Sequence, residues 1–241
     1  VDHSVFFSYH ITQKNGKLFY NPRQHAIILI SRKNVKKGSI TETNYISQIK
    51  DYTFRQAWPT PEKTALLVID MQVFFANLAK PIIGHVISLI DACRANNIEI
   101  FFTRHGHRDP QKDGGMLGEW WNDLILYGSA DWELINELTV SHHDTIIDKN
   151  RYSAFFNTNL DKNLKTHGVE DIVICGVMTN CCCETTARDA FVRDYRVFFV
   201  ADATAAANAD LHVASLKNLA YGCAYIIDTN GLCKNFNYQI N

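Results

Sequence analysis

No stretch of this 241-residue sequence holds the ~18–20 consecutive apolar residues that a membrane helix requires. No membrane partner is expected. Proline is scarce, at five residues, and glycine stops at twelve, which excludes collagen-like and Pro/Gly-rich low-complexity chains. Charge of one sign is lacking too. Lys and Arg total 24 against 25 Asp and Glu, a net charge of −1, so nothing draws the chain to nucleic acid. No paired C-x-x-C spacing marks a zinc site. The seven cysteines are Cys93, Cys175, Cys181, Cys182, Cys183, Cys223 and Cys233. The number is odd and three are consecutive, so a reduced, intracellular protein is expected. Val1–Tyr9 lacks the basic start and apolar stretch of a signal peptide, which agrees with a cytoplasmic location.

What is present is a globular composition, 46% hydrophobic and 20% charged. Its charge is uneven. Residues 1–55 carry nine basic and three acidic side chains, a net of +6, and the remainder carries fifteen and twenty-two, a net of −7. Two pieces of opposite sign predict a β-rich extension over 1–57 and a main domain over 58–241, the first docking on the second. Ser4–Ile11 and Lys17–Tyr20 flank Gln13-Lys14-Asn15-Gly16, and Asn-Gly between apolar runs signals a hairpin. Trp58-Pro59-Thr60-Pro61 reads as a stiff connector.

From Thr64 onward strands and helices alternate. Ala65–Ile69 is a continuous apolar run, as in a parallel strand buried on both faces. Ile98–Phe102, Thr145–Ile147, Ile172–Cys175, Val197–Val200 and Ala224–Ile227 are further candidates. Helical periodicity covers 82–93, with more helix near 157–167, 180–194 and 209–221. The expectation is an α/β fold: a parallel sheet with helices on both faces, Rossmann-like and three-layered. Ligands of such sheets bind beyond the carboxyl ends of the strands. Residues there include Asp70, Arg104-His105-Gly106-His107, Asp148-Lys149 and Gly176–Cys183.

Asp70 ends a strongly apolar strand, where a carboxylate either caps the next turn or does chemistry. Lys149 is an ordinary surface charge unless Asp70 and a nucleophile stand beside it. Gly176–Ala187 runs from a strand through a tight turn into a helix. A cysteine in a first helical turn feels the positive end of the dipole, and amides there can hold an oxyanion. Cys183 aligns with Ala187, Ala190 and Phe191 and reads as core. Cys181 heads a polar face with Thr185 and Arg188, and Cys182 lies between. Geometry leaves Cys181 and Cys182 both open.

Three segments, Leu66–Gln72, Lys149–Phe155 and Gly176–Ala190, occur in an order that resembles the isochorismatase-like cysteine hydrolases. That superfamily includes isochorismatases, nicotinamidases and N-carbamoylsarcosine amidases. The resemblance spans roughly 64–230 and implies the isochorismatase-like fold. It implies an Asp–Lys–Cys triad at Asp70, Lys149 and Cys182. It also implies a cis peptide at Val177–Met178 and an oxyanion hole formed by amides near Met178 and Cys182. The implied substrate pocket is Gln72, Phe75, His105, Trp120, Trp121, Arg151, Tyr152 and Phe155. The implied activity is cysteine-dependent hydrolysis of a small amide or ureido C–N bond through a thioester.

The Lys149–Phe155 segment also resembles enzymes that cleave the vinyl ether of isochorismate, where the aspartate acts as an acid and no thiol is needed. That is the alternative activity. A silent binding protein on this fold is the third reading, and the intact triad argues against it. Nicotinamidases of the family bind a metal through an Asp-x-His pair and a further histidine. Here His105 stands at the aspartate position and His107 follows, so no metal and no cofactor are expected. His142-His143 reads as surface. A small-molecule substrate and a homo-oligomer, dimer or tetramer, complete the expectation.

Overall fold

The computed structural model describes residues 12–14, 17–19 and 45–240. It divides into Val1–Thr43 and Asn44–Asn241. In the first unit β1 (Thr12–Lys14) and β2 (Lys17–Phe19) pair antiparallel, with Lys14 opposite Lys17. Residues 1–11, 15–16 and 20–44 of the expected β-rich extension lie outside the described residues, and the described residues 45–57 hold helix rather than strand.

The second unit begins earlier than the boundary expected after residue 57. Its first helix, α1 (Tyr45–Ile49), puts Ile49 in a core cluster with no exposure. Six strands follow: β3 (Thr64–Ile69), β4 (Glu99–His105), β5 (Thr145–Lys149), β6 (Asp171–Val177), β7 (Arg196–Ala205) and β8 (Tyr225–Ile227). They form one parallel sheet in the order β5-β4-β3-β6-β7-β8. Every residue of β3 and β6 is buried, which is why both read as unbroken apolar runs.

The helices are α2 (Ala76–Ala79), α3 (Ile83–Ala95), α4 (Pro110–Asp113), α5 (Gly115–Trp121), α6 (Leu160–Thr166), α7 (Glu184–Phe191), α8 (Ala209–Gly222) and α9 (Thr229–Asn235). Alternate strand residues point to opposite faces and build two cores. Leu67, Ile69, Ile174 and Phe199 pack with α1, α6, α7 and α8. Leu66, Val68, Val173 and Phe198 pack with α2, α3 and α9. Three layers result, the isochorismatase-like α/β arrangement expected. The sheet order reverses between β3 and β6, so the crevice at their carboxyl ends is the place for a ligand. Among the described residues no single helix is long and apolar enough to cross a membrane.

Candidate active site

Asp70 is the first residue beyond β3 and has φ +46°, a left-handed conformation that aspartate tolerates better than most residues. The turn swings its carboxylate over the sheet end. Thr103 on β4 holds it there. The Thr103 hydroxyl donates to Asp70 Oδ1 at 2.6 Å and accepts from the Asp70 amide at 3.0 Å. Lys149 ends β5, two strands away, with its backbone opposite His105. Its ammonium reaches Asp70 Oδ2 at 2.7 Å, and both side chains are fully buried. It also donates to the Arg151 carbonyl at 3.0 Å and to Cys182 Sγ at 3.4 Å.

The cysteine segment leaves β6 through Gly176, at φ +112°. Any Cβ there would collide with the Ile69 carbonyl, so only glycine lets β6 lie this close to β3. The Val177–Met178 peptide is cis, as expected. Thr179–Cys183 then forms a π-helical turn that runs into α7. The Met178 carbonyl accepts from the amides of Cys181 and Cys183 at 3.1 and 3.2 Å. Wide π turns inside or at the start of helices recur at functional sites.

This turn changes the reading of the three thiols. All three are buried, Cys181 included, although helical spacing put it on a polar face. Burial raises the Cys181 thiol pKa and the nearby Tyr152 hydroxyl pulls it back; that hydroxyl accepts from Trp121 Nε1 at 2.7 Å. Cys183 joins the core against Ala187 and Ala190, as its spacing predicted. Cys182 faces Lys149 and Asp70.

Electrostatics follow from burial. Desolvation pushes the Cys182 thiol well above its ordinary pKa, Lys149 pulls it back, and Asp70 adds to the rise. Burial thus favours the neutral thiol at rest. For Lys149 burial works toward neutrality, but the Asp70 charge and the hydrogen bonds to Asp70 and Cys182 prevail and its pKa rises. His105 is held neutral down to about 3 by burial and by the nearby Lys149 charge.

The other expected pocket residues separate into two groups. Tyr152 and Trp121 belong to the wall just described. Arg151 braces that wall, donating to the Asp113 and Asn150 carbonyls at 2.8 and 2.7 Å, and its guanidinium occupies the space where a Cβ on Gly115 would stand. Trp120 is 75% exposed and turns outward. Phe75 is half-buried, edge-on to Phe74. Gln72 is fully buried and spends its amide on the backbone, donating to the His105 and Trp132 carbonyls and accepting from the His105 amide. It is a clamp between loops, not a free contact for substrate. Phe155 joins the core against Tyr195 and Arg193. Its place beside the site in sequence is reversed by Ala154, whose amide bonds Thr186 Oγ1 and turns the chain inward.

The isochorismatase domain model matches residues 64–231. The chain belongs to the isochorismatase family. Nicotinamidase 3 of Arabidopsis thaliana is 50% identical over 189 residues, which cover 77% of this chain and 95% of that protein. A cysteine hydrolase from Pseudomonas syringae pv. phaseolicola 1448A superposes with a TM-score of 0.73 at 30% identity, over 76% of this chain and 96% of that one. N-carbamoylsarcosine amidase from Thermoplasma acidophilum gives a TM-score of 0.62 at 27% identity, over 70% and 97%. The chain is a hydrolase of this family.

Some members of the isochorismatase family hold a metal at the end of β4, so the fit of that position matters. His105 and His107 lie there with ring centroids 5.1 Å apart. His107 Nδ1 is taken by Asp113 Oδ1 at 3.1 Å. Among the described residues no three His, Cys, Asp or Glu side chains are grouped to hold a metal ion. The donor set does not fit one, and no step below passes through a metal. Thr103 and His212, discussed below, went unread in the sequence. A hydroxyl within the apolar run of β4, level with a strand-end aspartate, was the available signal for Thr103.

Proposed function

We propose that this hydrolase cleaves a small carboxamide C–N bond, with Cys182 as nucleophile, Asp70 as proton carrier and Lys149 as their electrostatic anchor. The observation that carries the reading is the buried contact of all three side chains, with Lys149 Nζ 2.7 Å from Asp70 and 3.4 Å from Cys182. The similarity to Nicotinamidase 3 makes nicotinamide the first substrate to test.

Asp70 takes the thiol proton as sulfur bonds to the carbonyl carbon. The positive Lys149 keeps that transfer local. The negative charge moves to the carbonyl oxygen, which the amides of Met178 and Cys182 receive in this reading. Asp70 returns the proton to the departing nitrogen, the C–N bond breaks, and ammonia leaves a thioester behind. Water, deprotonated by Asp70, then displaces sulfur and yields a carboxylic acid and the free thiol. The π turn that carries Cys182 into α7 supports this assignment of the amides.

The seven unpaired cysteines support a reducing, cytoplasmic setting. Exposed Met116, Trp120 and Trp121 beside the site support a homo-oligomer that covers them. The test is a panel of nicotinamide, pyrazinamide, N-carbamoyl amines and isochorismate, read as ammonia or pyruvate. Ammonia release that disappears in Cys182→Ala is the expected result. Pyruvate release that persists in Cys182→Ala would replace this reading with vinyl-ether cleavage.

A further inference from the structure

The nucleophile turn is clamped from a helix that supplies nothing to the triad. His212 and Ser215 lie three residues apart on α8, on one face. Both are buried, at 3% exposure each. His212 Nδ1 and Thr179 Oγ1 share a buried hydrogen bond of 2.8 Å. The Ser215 hydroxyl donates to Glu184 Oε2 at 2.6 Å. Thr179 is the first residue of the π turn and Glu184 the first residue after it, so the two bonds bracket Cys181–Cys183. The ring of Tyr45 backs His212, with centroids 4.4 Å apart.

A π turn has wider, poorer internal hydrogen bonds than an α-helix and depends more on outside contacts to keep its shape. Thr179 follows directly on the Val177–Met178 peptide, and Cys182 lies three residues on. A shift of Thr179 therefore moves both the sulfur and the amides that would receive the oxyanion. Burial lowers the His212 pKa to about 4, against a backbone contact from Ala201 that raises it, so the ring is neutral at ordinary pH. A neutral imidazole against a hydroxyl adds no charge that would disturb the Asp70–Lys149 pair.

We propose that His212 is a positioning residue for the reaction: through Thr179 it fixes the turn that aims Cys182 and the oxyanion amides. This rests on Cys182 being the nucleophile. It predicts a defect in the chemical step rather than in substrate binding, because neither His212 nor Thr179 reaches the solvent side of the site.

The experiment compares Thr179→Val, Thr179→Ser, His212→Phe and the Thr179→Val/His212→Phe double variant. Valine matches threonine in shape, and phenylalanine keeps a ring against Tyr45, so packing is largely preserved. kcat and KM are measured per folded subunit on the best amide of the panel. The rate of iodoacetamide alkylation at Cys182, located by peptide mass spectrometry, is measured alongside. Thr179→Val and His212→Phe are each expected to lower kcat by about ten- to hundredfold, with KM changed less than about twofold. The double variant should fall no further, because one bond is removed either way. Thr179→Ser, which keeps the hydroxyl, should recover most of the loss. Cys182 alkylation should slow in the same order.

Single variants with full kcat and wild-type alkylation, melting at lower temperature only, would overturn the proposal and leave a purely structural bond. So would losses that multiply in the double variant. If His212→Phe does not fold, His212→Asn, which places an amide nitrogen near the Nδ1 position, takes its place and should retain activity above Thr179→Val. A wild-type protein inactive on every amide would defeat the proposed function, while the alkylation series would still decide the role of His212.

Discussion

Lys149 and Asp70 form an ion pair of 2.7 Å in which neither side chain has any exposure. Each partner alone would be an uncompensated buried charge. Lys149→Met should therefore cost about 3–5 kcal/mol of stability and also remove turnover. Denaturant unfolding and ammonia release measure the two effects. An active, undiminished Lys149→Met variant would show that the pair is neither an anchor nor a catalytic element.

The three consecutive thiols should separate by role. Cys182→Ala should abolish amide hydrolysis and leave the fold intact. Cys183→Ala should keep activity per folded subunit and lower the melting temperature, because Cys183 is fully buried in the core beside Ala187. Cys181→Ala should leave amide hydrolysis in place, because Cys182 and not Cys181 contacts Lys149. Melting curves and steady-state kinetics on the three variants resolve this.

Metal removal should change nothing. His107 is engaged with Asp113, and no three His, Cys, Asp or Glu side chains among the described residues are arranged to hold a metal ion. Turnover before and after dialysis against a strong chelator is the measurement. Stoichiometric metal in the purified protein, lost together with activity, would contradict the geometry.

Stability should fall on mild acidification. His105 and His212 are both buried, and their pKa values are lowered to about 3 and about 4. In the unfolded chain histidine titrates near 6.5. Below that pH the unfolded state binds more protons than the folded one. The stability contributed by the two neutral rings is thus complete above about 6.5 and is lost as pH falls toward about 4 and then about 3. Melting temperature should decline from pH 7 to pH 5, and His212→Asn should flatten part of that slope. A profile unchanged by that substitution would assign the decline to other groups.

Truncation should distinguish two boundaries. A fragment of 56–241 lacks Ile49, which is fully buried, and Tyr45, whose ring packs tilted against His212. It should melt well below a fragment of 44–241, and a missing core side chain of this size costs about 2–5 kcal/mol. Equal melting temperatures would show that α1 contributes nothing to the sheet unit.

How much of this was readable depends on the range of the interaction. The strands of the sheet appeared in the sequence because β3 and β6 are buried on both faces and so cannot alternate. Three ordered segments pointed to Asp70, Lys149 and Cys182, which lie together in the structure. What stayed hidden were contacts between side chains far apart in sequence. Cys181 sits in a π turn rather than an α-helix and is buried, so a helical wheel wrongly assigned it to a polar face. Gln72 resembled a pocket residue because nothing local shows that Trp132 and His105 use up its amide. Residues 45–55 were grouped with the basic extension because charge, rather than packing, set that boundary. His212 sits in an ordinary helical stretch, and only the position of Thr179 gives it meaning.

Ile69 and Gly176 face each other on one rung of the β3–β6 ladder. Asp70 follows the first and the cysteine turn follows the second. Asp70 and the turn that carries Cys182 thus depart from a single point of a strand pair buried along its whole length, held by backbone bonds on both sides. Their separation cannot open or close without breaking the centre of the sheet, the part of such a fold that opens last. By the same reasoning motion is easiest at the rim, where the exposed Trp121 is joined to the partly buried Tyr152 by one hydrogen bond.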